Sequence, residues 1–129
     1  MRLDSNTALV RERLRRRYRP ARVRLLFVGE APPASGRFFY QADSGLYRAI
    51  RDAFLAALPD LQEDDFLDSF RTLHCYLVDL CGRPVDRLEA TQRRQAHIDG
   101  EIRLSRIVRQ LQPEFVITVV RSIDRKSVV

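Results

Sequence analysis

The chain has 129 residues, the length of one domain. Hydrophobic residues make up 45% of it, which excludes a disordered chain and supplies a core. No apolar run is long enough to cross a bilayer, and the N-terminus lacks a signal-peptide core, so no membrane partner and a cytoplasmic location are expected. The net charge is +6, and of 23 basic residues only Lys126 is a lysine. Arginine forks suit phosphate, so the excess raises the case for a nucleic-acid partner. A GC-rich coding bias produces the same composition.

Cys75 and Cys81 match no zinc or redox spacing; on one extended strand they share a face and lie too far apart to bond. Buried, reduced thiols are expected. His74 and His97 are isolated and belong to no HxH or HExxH pattern, so no metal site is expected.

Residues 1–6 read as frayed. From Thr7 to Arg19 a helix is expected, with Leu9, Val10, Leu14 and Tyr18 as a narrow apolar stripe. Its other face is nearly solid arginine: Arg11, Arg13, Arg15, Arg16 and Arg17, broken by Glu12. Such a face is either solvated or a phosphate-contacting ridge with salt-dependent affinity. Pro20 ends the helix.

Val23, Leu25, Leu26, Phe27 and Val28 form an apolar run suited to a central strand covered on both faces. The run stops at Gly29. Pro32 and Pro33 stiffen the following loop, and Gly29 and Gly36 permit tight turns. Arg37, Phe38, Phe39 and Tyr40 then place a cation and three rings just past it. In open α/β sheets the binding crevice lies beyond the carboxyl ends of the strands. The loop is therefore either a site or an ordinary strand-to-helix connection whose aromatics cap the core.

Ser44 is a good N-cap for a helix carrying Leu46, Ile50, Ala53, Phe54, Ala57 and Leu58, closed by Pro59. A shorter helix is expected over Glu63 to Arg71, with Phe66, Leu67 and Phe70 inward and an acidic first turn. Leu73 to Cys81 reads as the next strand. Asp79 closes it, at the crevice or as a turn cap. Residues 85–97 are polar, with weak periodicity, and read as a surface loop with one helical turn at most. Asp99 is a candidate N-cap for a helix through Gln112, with Ile102, Ile107, Val108 and Leu111 as its stripe. Phe115 to Val120 is the third strand.

Apolar strands joined by helical crossovers imply one α/β domain around a small, mostly parallel sheet. Residues 1–22 form its basic N-terminal helix, 23–120 its core and 121–129 an irregular tail. Three strands are few for this class. Either a partner completes the sheet, which leaves self-association open, or the chain is a truncated form of a longer protein.

These residues resemble the uracil-DNA glycosylase superfamily. Gly29-Glu30-Ala31-Pro32-Pro33 and Gly36-Arg37-Phe38-Phe39 are similar to its GEAPG-type motif and the following G-R-x-F segment. Tyr76-Leu77-Val78-Asp79-Leu80 resembles its second strand, and Ile107 to Val120 its helix–Pro–strand unit. The resemblance covers Val23 to Val120 in order. It implies a three-layer α/β/α sandwich that removes damaged bases from DNA. A base must leave the stack to be reached. In that frame Phe39 is the stacking platform, worth about 1–3 kcal/mol. Asp79 stands where the family has an asparagine and reads the base edge. The Glu30-Ala31-Pro32 turn positions water. Gly29, Gly36 and Arg37 belong to the same binding loop, and Arg15, Arg16 and Arg17 would meet the nucleic acid. An ionised Asp79 would repel a uracil carbonyl, so this role calls for a protonated carboxyl or a different base. Pro33 replaces a glycine of the motif. The four cysteines of the iron–sulfur classes are missing, so no cofactor is expected. The family's final His-containing loop has no counterpart, which implies a truncated or inactive form. The alternative is a non-catalytic nucleic-acid-binding module on the same fold. A small-molecule nucleotide site ranks behind both, because no phosphate-binding glycine loop is present.

Overall fold

Leu25–Gly29 forms the central strand of a three-stranded sheet, as its unbroken apolar run requires. A computed structural model describes residues 2–61 and 64–119 of the chain. The elements are α1 (Arg2–Arg17), β1 (Leu25–Gly29), α2 (Gly45–Ala57), α3 (Phe66–Thr72), β2 (Cys75–Asp79), α4 (Ala90–Leu111) and β3 (Phe115–Thr118), with a 3-10 turn at Phe39–Gln41. The strand order is β2-β1-β3, and both pairings are parallel, as in an α/β fold. Phe27 pairs in register with Leu77 and Ile117, and Gly29 with Asp79.

Alternation along the strands sends Phe27 to one face and Leu26 and Val28 to the other. The Phe27 ring meets Phe54 of α2 at 6.1 Å and Phe70 of α3 at 5.4 Å between centroids. On the opposite face Ile107 and Leu111 of α4 flank Tyr76 and Val78. The sheet thus lies between α2 and α3 on one side and α4 on the other. Helix α1 covers the β2 edge, where Tyr18 stacks on Tyr40 at 5.8 Å. The Tyr40 hydroxyl accepts from the Leu77 amide at 2.7 Å and donates to the Leu77 carbonyl at 3.1 Å, closing that edge at mid-strand.

Several expectations are corrected. Residues 2–6 are helical rather than frayed, since a helix anchored through Leu14 and Tyr18 gains a backbone bond for each residue added. Leu9 and Val10 are exposed and stand outside the core, and the part of the apolar stripe packed against it is Leu14 and Tyr18. The largest change is in α4. Residues 90–97, expected as loop, are its first two turns, and Asp99 lies inside it rather than capping it. The start is fixed by a capping box: Glu89 and Gln92 each accept from the other's backbone. Ile102 is 55% exposed, and Leu104 joins Ile107, Val108 and Leu111 on the core side instead. α3 begins at Phe66, and the expected start at Glu63 lies outside the described residues. So do the expected end of the third strand at Val120 and the tail at 121–129.

Ser44 caps α2 as expected, its hydroxyl accepting from the Tyr47 amide at 3.1 Å. Both cysteines are buried and free, and burial pushes the Cys75 thiol up to about 11. No helix among the described residues is long and apolar enough to cross a membrane. Nor do the described residues bring together a His, Cys, Asp or Glu group able to hold a metal ion.

Candidate functional site

The loop that follows β1 is held in place by polar contacts on both sides. Gly36 has φ +91, a value its missing side chain permits, and its amide donates to the Pro33 carbonyl at 3.3 Å. The Phe38 amide donates to the Asp43 carboxylate at 2.8 Å. The chain leaving β2 continues the β1 pairing: the Leu80 and Cys81 amides donate to the Gly29 and Glu30 carbonyls, each at 2.7 Å.

Two consecutive turns of α4 hold the Glu30 side chain. Arg93 Nε and Nη2 donate to Oε2 and Oε1 at 2.8 and 2.7 Å, a fork on a fork. His97 Nε2 lies 2.7 Å from Oε2. A carboxylate only accepts, so the Nε2 proton belongs to the histidine in this contact. Burial alone would raise the Glu30 carboxyl, but the bonds from Arg93 and His97 outweigh it and hold the group below its ordinary value. Three of the roughly four lone-pair positions of a carboxylate are taken here. This clamp escaped the sequence reading, where His97 appeared isolated and Arg93 was part of a loop. The available signal was the spacing of Arg93 and His97, four residues apart and therefore on one face of a helix.

A cavity of about 480 Å³ opens beside the clamp, beyond the carboxyl ends of β1 and β2. Glu30, Ala31 and Pro32 form one wall, Phe38 and Phe39 another, and Ser44 to Leu46 at the start of α2 a third. Asp79 also lines it. The Phe39 ring is only 3% exposed, fixed edge-on against Tyr40 at 4.9 Å and Tyr47 at 5.8 Å. It is thus a rigid part of the wall, with its face committed to no other ring in parallel.

Asp79 is 8% exposed, yet among the described residues no hydrogen bond reaches its carboxylate oxygens. Burial pushes the carboxyl up to about 6, against the pull of Arg15, Arg103 and Arg11. Gly29 makes room for it: a Cβ there would stand 3.0 Å from Asp79 Oδ1. Among the described residues no side-chain oxygen or nitrogen sealed from solvent lacks a partner, so the Asp79 oxygens open to the cavities that the residue lines.

The structure therefore brings Glu30, Ala31, Pro32, Phe39 and Asp79 to one cavity. Gly29 supports it from behind. Gly36 and Arg37 are exposed on the outer turn of the loop and do not line it. Arg15, Arg16 and Arg17 stand on α1 and do not line this cavity. Arg15 is partly buried, its guanidinium 5.0 Å from the Phe38 ring centre and 3.5 Å from Glu12; Arg16 also pairs with Glu12, and Arg17 lies over Tyr18. No protein-family model, curated protein or solved structure matches the chain.

Proposed function

We propose that the protein acts on a base flipped out of DNA, hydrolysing its N-glycosidic bond as the resemblance to uracil-DNA glycosylases implies. One observation supports this above the rest: the turn Glu30-Ala31-Pro32, the Phe39 ring and the buried Asp79 carboxyl share a single cavity. The base would rest against Phe39. Asp79, in its protonated form, would donate to a base carbonyl oxygen, which an ionised carboxylate would repel. Glu30 has about one acceptor position left beyond its clamp, enough to orient one water. The water hydroxyl adds to the sugar C1′, the C1′–N bond breaks with its electron pair leaving on the base, and the water proton ends on the base. Negative charge on Glu30 stabilises positive charge developing on the sugar. A cytoplasmic location goes with this reading.

A uracil-containing single-stranded oligonucleotide, incubated with the full chain and treated with alkali, tests it. Strand breakage at uracil is expected, falling as pH rises through about 6 as Asp79 loses its proton. Asp79→Asn, which keeps a donor at every pH, should flatten that fall. Absence of breakage from pH 5 to 8 by demonstrably folded protein would sink the reading for uracil.

Exposed arginines favour a second reading, non-catalytic binding of nucleic acid. Arg13, Arg16 and Arg17 stand on the outer face of α1. Binding should then weaken steeply with salt and ignore uracil. An unchanged salt dependence after charge reversal at Arg15, Arg16 and Arg17 would rule it out. The outer edge of β3, which pairs with no further strand among the described residues and where Phe115 and Val116 are exposed, is the surface through which self-association would run, and sedimentation at rising concentration tests it.

A further inference from the structure

A second cleft, of about 240 Å³, lies on the far side of Asp79, between α1 and α4. Three arginines from three stretches of chain line it: Arg15 on α1, Arg19 after its end, and Arg103 on α4. Arg103 is held at the carboxyl end of β2, where Nη2 donates to the Asp79 carbonyl and, at 2.9 Å, to that of Leu80. Among the described residues its Nε and Nη1 make no hydrogen bond, and neither Arg103 nor Arg19 pairs with a carboxylate. Arg15 is fixed by Phe38 beneath it and by Glu12.

Two acids touch the cleft; among the described residues neither forms an ion pair with Arg19 or Arg103, and Asp79 feels the charges of Arg15 and Arg103. Glu12 is half exposed at the rim and already bridges Arg15 and Arg16. Asp79 sits at the floor, shared with the larger cavity. Three guanidinium groups against two carboxyl groups leave the cleft with an excess of positive charge, which favours an added anion. A single guanidinium satisfies a planar carboxylate with two parallel bonds. Donors arriving from three separate segments, with the Gln110 side chain beside them, suit a tetrahedral oxyanion better.

We propose that this cleft is a phosphate-binding site, with Arg19 and Arg103 as its principal donors and Arg15 as a fixed third. Asp79 lines both this cleft and the larger cavity, so the two share a wall. The site does not depend on base excision, since it is argued from the arginines alone.

The test uses the full chain and two probes, inorganic phosphate and the tetranucleotide (dT)4. Phosphate is titrated against chloride at matched ionic strength, following the thermal midpoint and the 31P line width. A saturable response to phosphate is expected, with at least fivefold weaker binding in Arg19→Gln, an exposed position whose change leaves the fold intact. Arg103→Gln should weaken binding similarly. Displacement of phosphate by (dT)4 would assign the site to the phosphodiester of a strand; saturable phosphate binding without displacement would assign it to free phosphate. A response no different from that to chloride, or binding unaltered in Arg19→Gln, would overturn the proposal.

Discussion

At the residue scale the cavity sets two carboxyl groups in opposite environments. Glu30 is wrapped in donors and stays ionised; Asp79 is desolvated with none on its oxygens and tends toward the neutral form. Their environments push their proton affinities apart, the arrangement by which one site holds an acid and a charged acceptor together. Asp79 also bears on stability. Its pKa rises from 3.8 unfolded to about 6 folded, so folding favours the protonated form. The ionised group costs roughly 3 kcal/mol above pH 6, and that cost disappears as pH falls toward 4. Asp79→Asn removes the titration. Its stability relative to wild type should therefore be about 1–2 kcal/mol more favourable at pH 8 than at pH 5, measured by urea unfolding at both. An equal difference at both pH values would mean that the carboxyl titrates in the same range folded and unfolded. Asp79 was legible in the sequence as an acid closing an apolar strand. Its lack of hydrogen bonds was not, because that depends on where Gly29 and three distant arginines lie.

At the scale of elements, α4 shows what hydrophobic periodicity misses. Its second half carries Leu104, Ile107, Val108 and Leu111 and was readable from that spacing. Its first half has almost no apolar face. It is held by the capping box at Glu89 and by the bonds of Arg93 and His97 to Glu30, 63 and 67 residues away in sequence. No window of local sequence contains those partners. Gly100 marks the junction of the halves. A Cβ there would lie 2.3 Å from the Leu80 carbonyl oxygen, a backbone atom that cannot rotate away. Alanine in a helix is worth about 1 kcal/mol over glycine, whereas overpacking against backbone costs about 1–3 kcal/mol or more. Gly100→Ala should therefore destabilise by about 1–2 kcal/mol despite the gain in propensity, seen as a lower urea midpoint. A stabilised variant would mean that α4 can lift from the chain after β2 at no cost.

At the scale of the whole molecule, the sheet has two unlike edges. β2 is sealed by α1 and by Tyr40, whose hydroxyl serves both backbone groups of Leu77. β3 is exposed on Phe115 and Val116 and has one neighbour among the described strands. Tyr40→Phe keeps the ring packing but strands a buried amide and carbonyl. The expected cost is about 2–3 kcal/mol, read from thermal or urea unfolding, and a neutral outcome would mean that water reaches Leu77. The central place of β1 could be read from its unbroken apolar run, and the parallel sheet from the alternation of strands with helices. The exposure of β3 could not, because FVIT has the same apolar, β-branched character as a buried strand. The central position of β1 also sets a timetable. It is the first of these three strands to leave the ribosome, yet Leu25 pairs with Cys75 and Phe115, which follow it by about fifty and about ninety residues. At roughly 5–20 residues per second the strand on which the whole sheet is built waits on the order of seconds for either neighbour. During that interval its most apolar segment has no sheet to join, so the chain is most exposed to aggregation while it is being made, and slowing synthesis between β1 and β2 should lower the soluble yield without altering the finished fold.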